Sequence, residues 1–185
     1  MTIILETPRL LLREFLISDA NHFYTLSLEP DVLTYTGDPP FESVQKSEEF
    51  LKDYYQYKRY GYGRWAVVLK ETGEFIGWTG LRHSDLMYQT DLGFRFFKQH
   101  WNKGYATEAG EACVQYGFQK LNLERIVGRV MKDNMASIRV LEKCGMTFVR
   151  EMEFERHSGY LYEIKNPLPP GPEGYRPLFK IRLYE

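Results

Sequence analysis

The sequence predicts a mixed α/β domain of the α+β class: a central, mostly antiparallel sheet with helices on both faces. Three observations carry that prediction. Two apolar runs flank Glu71-Thr72-Gly73-Glu74, a hairpin signal with glycine in the turn, and a third strand-like run, "QTDLGFRFF", follows at once. Two helical segments then alternate with strands, from Tyr105 to Lys120 and in "NMASIRVLEKCG". The length of 185 residues fits one domain, 1–185, and is enough to bury a core without cross-links.

Taken in order, "IILETPRLLLREF" reads as a first strand, with branched residues after an early proline. Ser18-Asp19 supplies helix-capping residues for a short helix in "SDANHFYTLS". "FESVQKSEEFLKDYYQYKR" reads as one longer helix whose apolar face runs through Phe41, Val44, Phe50, Leu51 and Tyr54, stopping near Gly61-Tyr62-Gly63. The hairpin and the third strand come next, then the helix from Tyr105. "RIVGRVM" is a strand, and the strand–helix–strand unit from "DLGFRFF" to "RIVGRV" predicts a parallel crossover. Asn134 caps the following helix and Gly145 stops it, "MTFVREMEFE" is a further strand, and a Pro/Gly-rich loop, "KNPLPPGPEGYRP", leads to a short last strand in "LFKIRLYE".

Composition narrows the function classes. A net charge of −1 provides no basic field for nucleic acid or an anionic membrane. No apolar run reaches the ~20 residues of a membrane span, and no signal peptide precedes "TPRLLLREF", so a cytoplasmic protein is expected. The two cysteines, Cys113 and Cys144, have no metal spacing and read as reduced core thiols; the four histidines form no ligand pair, so no metal is expected. Oligomeric state stays open between monomer and homodimer.

The stretch "QHWNKGYATEA" carries the strongest chemical signal. It leads from a strand into a helix N-terminus, where backbone N–H groups and the positive end of the helix dipole make an anion site. Gly104 permits a left-handed turn and close approach, Ala106 is nearly as small, and Lys103 adds a mobile positive charge. Glu108, in the first turn, opposes an anion in charge. A tight turn with a small-residue helix packed on the sheet is the plain structural alternative. Neither a dinucleotide-binding GxGxxG nor a P-loop is present.

"WNKGYATEA", the strand "DLGFRF" before it and "DNMASIRVLEKCGMTFV" after it together resemble the acetyl-CoA-binding core of the GNAT superfamily of N-acetyltransferases. "ETPRLLLREF" and "FIGWTGLR" look like its Rim-type branch, which acetylates ribosomal-protein N-termini, so the resemblance spans nearly the whole chain. It implies a splayed GNAT-like sheet and an enzyme that uses acetyl-CoA as co-substrate. Asn102, Lys103, Gly104, Tyr105, Ala106 and Thr107 would hold the pyrophosphate through backbone amides. The family pattern Gln/Arg-x-x-Gly-x-Gly/Ala has Trp101 at its first position here, as the Rim branch often does. Backbone groups of Phe94, Arg95 and Phe96 would pair with the pantetheine arm, which requires their strand to part from "RIVGRV". Gly93 would permit a bulge there, or serve as a packing glycine. Asn134 would add a side-chain contact to the pantetheine.

Acetyl transfer needs a neutral amine, a polarised thioester carbonyl and a proton for the leaving thiolate. Many family members carry a tyrosine acid where this chain has Leu141. Ser137 is the nearest remaining hydroxyl on that helix, and a helix-capping serine is its structural alternative. Asp91 stands where the branch commonly has a base, although it alternates with Arg95 on one strand face and could form an ion pair with it. Substrate selection would fall to "YQYKRYGYGRW", with Lys58, Arg59 and Arg64, and to "NPLPPGPEGY", unless these are simply an exposed helix end and loop. The expected acceptor is a protein or peptide N-terminal α-amine. A small amine of the aminoglycoside or polyamine type is the alternative within the class, and a non-catalytic acyl-CoA-binding module is the alternative outside it.

Overall fold

A computed structural model describes residues 1–154, 157–167 and 181–184. Among these residues nine strands form one sheet: β1 Ile3–Glu6, β2 Leu10–Arg13, β3 Arg64–Leu69, β4 Phe75–Ser84, β5 Gln89–Phe96, β6 Arg125–Met131, β7 Thr147–Phe154, β8 His157–Lys165 and β9 Arg182–Leu183. Their order is β7-β8-β6-β5-β4-β3-β2-β1-β9. The helices are α1 Ala20–Leu28, α2 Pro30–Leu33, α3 Val44–Lys52, α4 Gln56–Tyr60, α5 Tyr105–Gln119 and α6 Met135–Lys143.

The fold class is as the sequence predicts, and the hairpin turns where expected, with Gly73 left-handed at φ 72°. Besides the short α2, which the sequence reading does not predict, three elements differ. The first strand is two, β1 and β2, because the chain folds back at Thr7–Pro8 so that Glu6 pairs with Leu11. The long helix is interrupted at Asp53–Tyr55, where Tyr54 turns inward and its hydroxyl accepts the Arg64 N–H at 2.6 Å. A strand the sequence reading passed over, β8, inserts between β6 and β7 and pairs with both.

Successive residues of the central strands serve two cores, as the period of a strand requires. Trp65, Val67 and Ile76 pack under α5 with Leu81, Leu92 and Ala112, while Ala66 and Phe75 face α1 and α3 with Phe23 and Leu51. α5 is buried along most of its length, which its small residues Ala109 and Ala112 permit. Cys113 and Cys144 are buried free thiols, and burial pushes Cys113 up to about 12. Among the described residues no helix is long and apolar enough to cross a membrane.

The β5–β6 pair positions everything that follows. These strands are parallel and share a single register pair, Asp91 with Val127. Beyond it they part, so among the described residues the edge of β5 from Gly93 to Phe96 has no strand beside it on that side. Gly93 is not a bulge: it pairs in register with Gly80 of β4. It is a packing glycine, since a Cβ there would lie 2.6 Å from Cζ of Arg64.

Candidate active site

Because β5 and β6 run parallel, their C-terminal ends lie together at the open end of the seam, where α5 and α6 begin. The link from β5 to α5 is held by Trp101, whose indole N–H donates to the Phe96 carbonyl at 2.8 Å. This gives Trp101 a structural role that its place in the loop pattern did not reveal. Asn102 and Gly104 both take left-handed conformations, φ 60° and 82°. Asparagine and glycine are the residues that tolerate this best, which accounts for the Asn-Lys-Gly order. Turns of this kind bring successive N–H groups toward one point and favour anions.

Asn102, Lys103 and Gly104 are exposed. The first hydrogen bond inside α5 runs from Glu108 N–H to the Gly104 carbonyl at 3.0 Å. The amides of Tyr105, Ala106 and Thr107 therefore have no carbonyl within the helix to pair with.

Glu108 does not spoil the anion site. One carboxylate oxygen accepts from Thr7 Oγ1 at 2.6 Å and from the Arg9 amide at 3.0 Å, and the other from Arg9 Nε at 2.6 Å. Its negative charge is spent inside the protein. Arg9 also donates to the Lys103 carbonyl at 3.0 Å and lies over the Tyr105 ring at 4.5 Å. Sequence reasoning missed Arg9, and no spacing could have shown it, because it is 99 positions from Glu108.

Past the end of β6, the Asn134 side chain accepts from the Ser137 amide at 3.1 Å, the helix cap expected for it. The cap uses the backbone of Ser137 and not its hydroxyl. Leu141 is buried and packs against Gly128. Beside this turn is a cleft of about 400 Å³, formed by Thr34, Tyr35, Met131, Asp133 and His157 among others.

At the closed end of the seam, Asp91 is buried among arginines. Arg64 bonds to its carboxylate, to its carbonyl at 2.8 Å and to the Gly80 carbonyl. Arg129 reaches its other oxygen at 3.2 Å, and Arg82 stands 3.6 Å from the same atom. Burial pushes the Asp91 carboxyl up, but Arg64, Arg129 and Arg82 outweigh that and hold it below the usual carboxylate range. Arg95 is not its partner: it pairs with Asp38 at 2.9 Å and lies over Trp78.

The "YQYKRYGYGRW" stretch divides in the same way. Tyr57 and Arg64 are tied into the interior, with the Tyr57 hydroxyl on the Arg64 carbonyl and the Arg64 N–H on the hydroxyl of Tyr54, just before the stretch. Lys58 and Arg59 are exposed on α4, Arg59 pairing with Asp85 at 2.9 Å. Of the other stretch expected to select substrate, positions 168–175 lie outside the described residues.

A parted parallel pair with an amide-rich turn at its open end is the arrangement the resemblance required. The model of the acetyltransferase (GNAT) domain matches residues 9–147. The chain belongs to the GNAT acetyltransferase family. As a member it is an acetyl-CoA-dependent N-acetyltransferase. It is 32% identical over 174 residues to the uncharacterized N-acetyltransferase YoaA of Bacillus subtilis (strain 168), covering 89% of this chain and 97% of that protein. A GNAT acetyltransferase from Bacillus anthracis superposes with a TM-score of 0.76 at 26% identity, over 89% of this chain and 98% of the other.

Two solved structures of the same fold were determined with coenzyme A. One is RimL, a ribosomal L7/L12 α-N-protein acetyltransferase, with a TM-score of 0.76, 17% identity and coverage of 88% and 97%. The other is a Vibrio cholerae spermidine N-acetyltransferase that also holds spermine, with a TM-score of 0.73, 21% identity and coverage of 86% and 96%. At that identity they speak for the fold of the acetyltransferase and leave its acceptor open between a protein N-terminus and a small amine.

Proposed function

We propose that this acetyltransferase modifies a protein or peptide N-terminal α-amine, as the Rim-type branch does. The observation that carries the catalytic arrangement is the seam that opens past Asp91 and ends at the loop Asn102–Thr107. The pyrophosphate of acetyl-CoA is assigned to the amides of that loop, with Lys103 adding positive charge. The pantetheine arm lies along the free edge of β5, pairing as an added strand would with backbone groups of Phe94 and Phe96, while the carbonyl of Arg95, expected to join them, faces β4. Asn134 spends its Oδ1 on the helix cap, which leaves Nδ2 to donate to a pantetheine carbonyl.

In the reaction the neutral amine attacks the thioester carbonyl carbon, the C–S bond breaks, and coenzyme A leaves as a thiolate. The amine nitrogen loses one proton and the sulfur gains one. The Ser137 hydroxyl, on the first turn of α6, is assigned the donation to sulfur. Asp91 suits a different part from the base expected at its position, because a carboxylate stabilised by three guanidiniums accepts protons poorly. It is a positioning residue that pins β5 where the seam opens, and water takes the amine proton.

The test is a titration of acetyl-CoA followed by tryptophan fluorescence, which Trp101 beside the loop should report, and then thiol release with two peptide sets. One set has free N-termini; the other has blocked N-termini and an internal lysine. Turnover confined to the first supports the reading, and turnover confined to the second overturns the acceptor assignment. Absence of acetyl-CoA binding would remove the cofactor assignments. Ser137→Ala should lower kcat and leave KM for acetyl-CoA nearly unchanged.

A further inference from the structure

We propose that the acceptor carries a carboxylate close to its amine, and that Arg129, assisted by Arg82, recognises it. This rests on the acetyl-transfer reading above and names the substrate class for that site.

The sheet face turned toward α1 and α3 carries Arg64, Arg82, Arg95 and Arg129 around the start of the open seam. The carboxylates paired with them are Asp91 and Asp38. The group therefore holds a surplus of positive charge. Arg64 is satisfied: it is buried, with one carboxylate oxygen and two carbonyls as partners. Arg95 has Asp38 and the Trp78 ring.

Arg129 and Arg82 are left to share one oxygen of Asp91, at 3.2 and 3.6 Å. A guanidinium has five N–H donors in a planar fork, and among the described residues the other arm of Arg129 meets only the Met87 sulfur, at 3.2 Å. A thioether is a weak acceptor. Arg129 is thus four-fifths buried at its side chain, with one arm of its fork on an oxygen it shares with Arg82 and the other, among the described residues, without an anion. A carboxylate is the group that such a fork binds best.

Placement agrees with charge. Arg129 and Met131 lie on the same face of β6 with their Cα atoms about 7 Å apart along the strand, and from there the Arg129 guanidinium reaches back to Asp91. Met131 lines the cleft with Tyr35 and His157. An amine delivered through that cleft to the seam brings an acidic side chain one or two residues further on within reach of Arg129. A polyamine would instead place its second positive charge against the arginines, which disfavours it.

The experiment measures kcat/KM by thiol release for tetrapeptides that differ only at positions two and three, carrying Glu, Gln or Lys. Free glutamate and spermidine are included as small-molecule arms. The Glu peptide should exceed the Lys peptide by about tenfold or more, the worth of one charge-assisted hydrogen bond, with spermidine lowest and the gap narrowing as salt is added. Turnover of free glutamate above the Glu peptide would keep the carboxylate rule and assign a small-molecule source.

Arg129→Gln should cut the preference for Glu over Gln to about twofold, mainly through KM, while an acetyl-CoA titration reports that the variant is folded. Arg82→Gln, at a half-exposed position, is the second variant and should narrow the preference by a smaller factor. Equal rates for Glu and Lys peptides, a preference for spermidine, or acetyl-CoA binding without turnover of any of these acceptors would overturn the proposal and leave the cofactor site standing. A parent protein that binds no acetyl-CoA would instead overturn the wider reading.

Discussion

The loop Asn102–Thr107 and the arginine cluster around Asp91 sit toward opposite ends of β5 and are built from different materials. The loop presents backbone amides, set by two left-handed residues and the start of α5, and is exposed from Asn102 to Gly104. The cluster is made of side chains from four strands that converge on one buried carboxylate. A backbone site depends on torsion angles and tolerates many side chains. A side-chain cluster depends on every partner being present, because removing one leaves the others buried and charged.

Asp91→Asn is the largest break expected on the cluster side. It should lower unfolding stability in urea by about 3–5 kcal/mol, the usual loss when one partner of a buried ion pair is removed. A stable but inactive variant would contradict this and restore Asp91 as a base. The sign with pH follows from the lowered carboxyl. The stabilisation is complete above the ordinary aspartate value of about 3.9 and is lost as pH falls below it toward the depressed folded-state value. The gap between parent and variant should therefore close in acid.

The two glycines of these regions sharpen the contrast. Gly104 has a positive φ and space around it, the nearest atom to a Cβ there being Arg9 Nη2 at 3.4 Å. Gly104→Glu should cost only about 1–2 kcal/mol of stability through backbone strain. It should weaken acetyl-CoA binding by about a hundredfold, since a carboxylate is placed where phosphate oxygens belong. Gly93 is the reverse case, with an ordinary φ and no room, because the Arg64 guanidinium lies against it. Gly93→Ala should lower stability by about 1–3 kcal/mol, the range for overpacking, and leave acetyl-CoA affinity within about threefold. A large loss of affinity in Gly93→Ala would mean that the cluster governs the seam's width as well as its stability.

How much the sequence disclosed follows the same division. The loop, the Asn134 cap and the Glu71–Glu74 hairpin were legible because each is a local rule about a few adjacent residues. The arginine cluster was not, because Arg64 and Arg129 are 27 and 38 positions from Asp91 and no periodicity links them. Arg95, four positions from Asp91 on the same strand face, was the partner that local reasoning offered; it pairs with Asp38 and lies over Trp78 instead. The break between α3 and α4 has no glycine or proline to announce it, since its cause is Tyr54 reaching Arg64. β8 went unread beside the Pro/Gly-rich tail, although "GYLYEI" alternates as a strand does, with Leu161 buried against β6 and β7.

Asn134 gives the smallest effect and the finest test, because its two roles use different atoms. Asn134→Ala removes the helix cap and should lower stability by about 1 kcal/mol. Asn134→Asp keeps an oxygen for the Ser137 amide and places a negative charge at the helix N-terminus, so stability should match the parent. That variant no longer has the Nδ2 donor assigned to the pantetheine. If the assignment holds, acetyl-CoA binding by Asn134→Asp should weaken by about three- to tenfold, the worth of one hydrogen bond, with the unfolding midpoint unmoved. Equal affinity in the two proteins would confine Asn134 to its cap and leave the cofactor to the backbone of the loop and of β5.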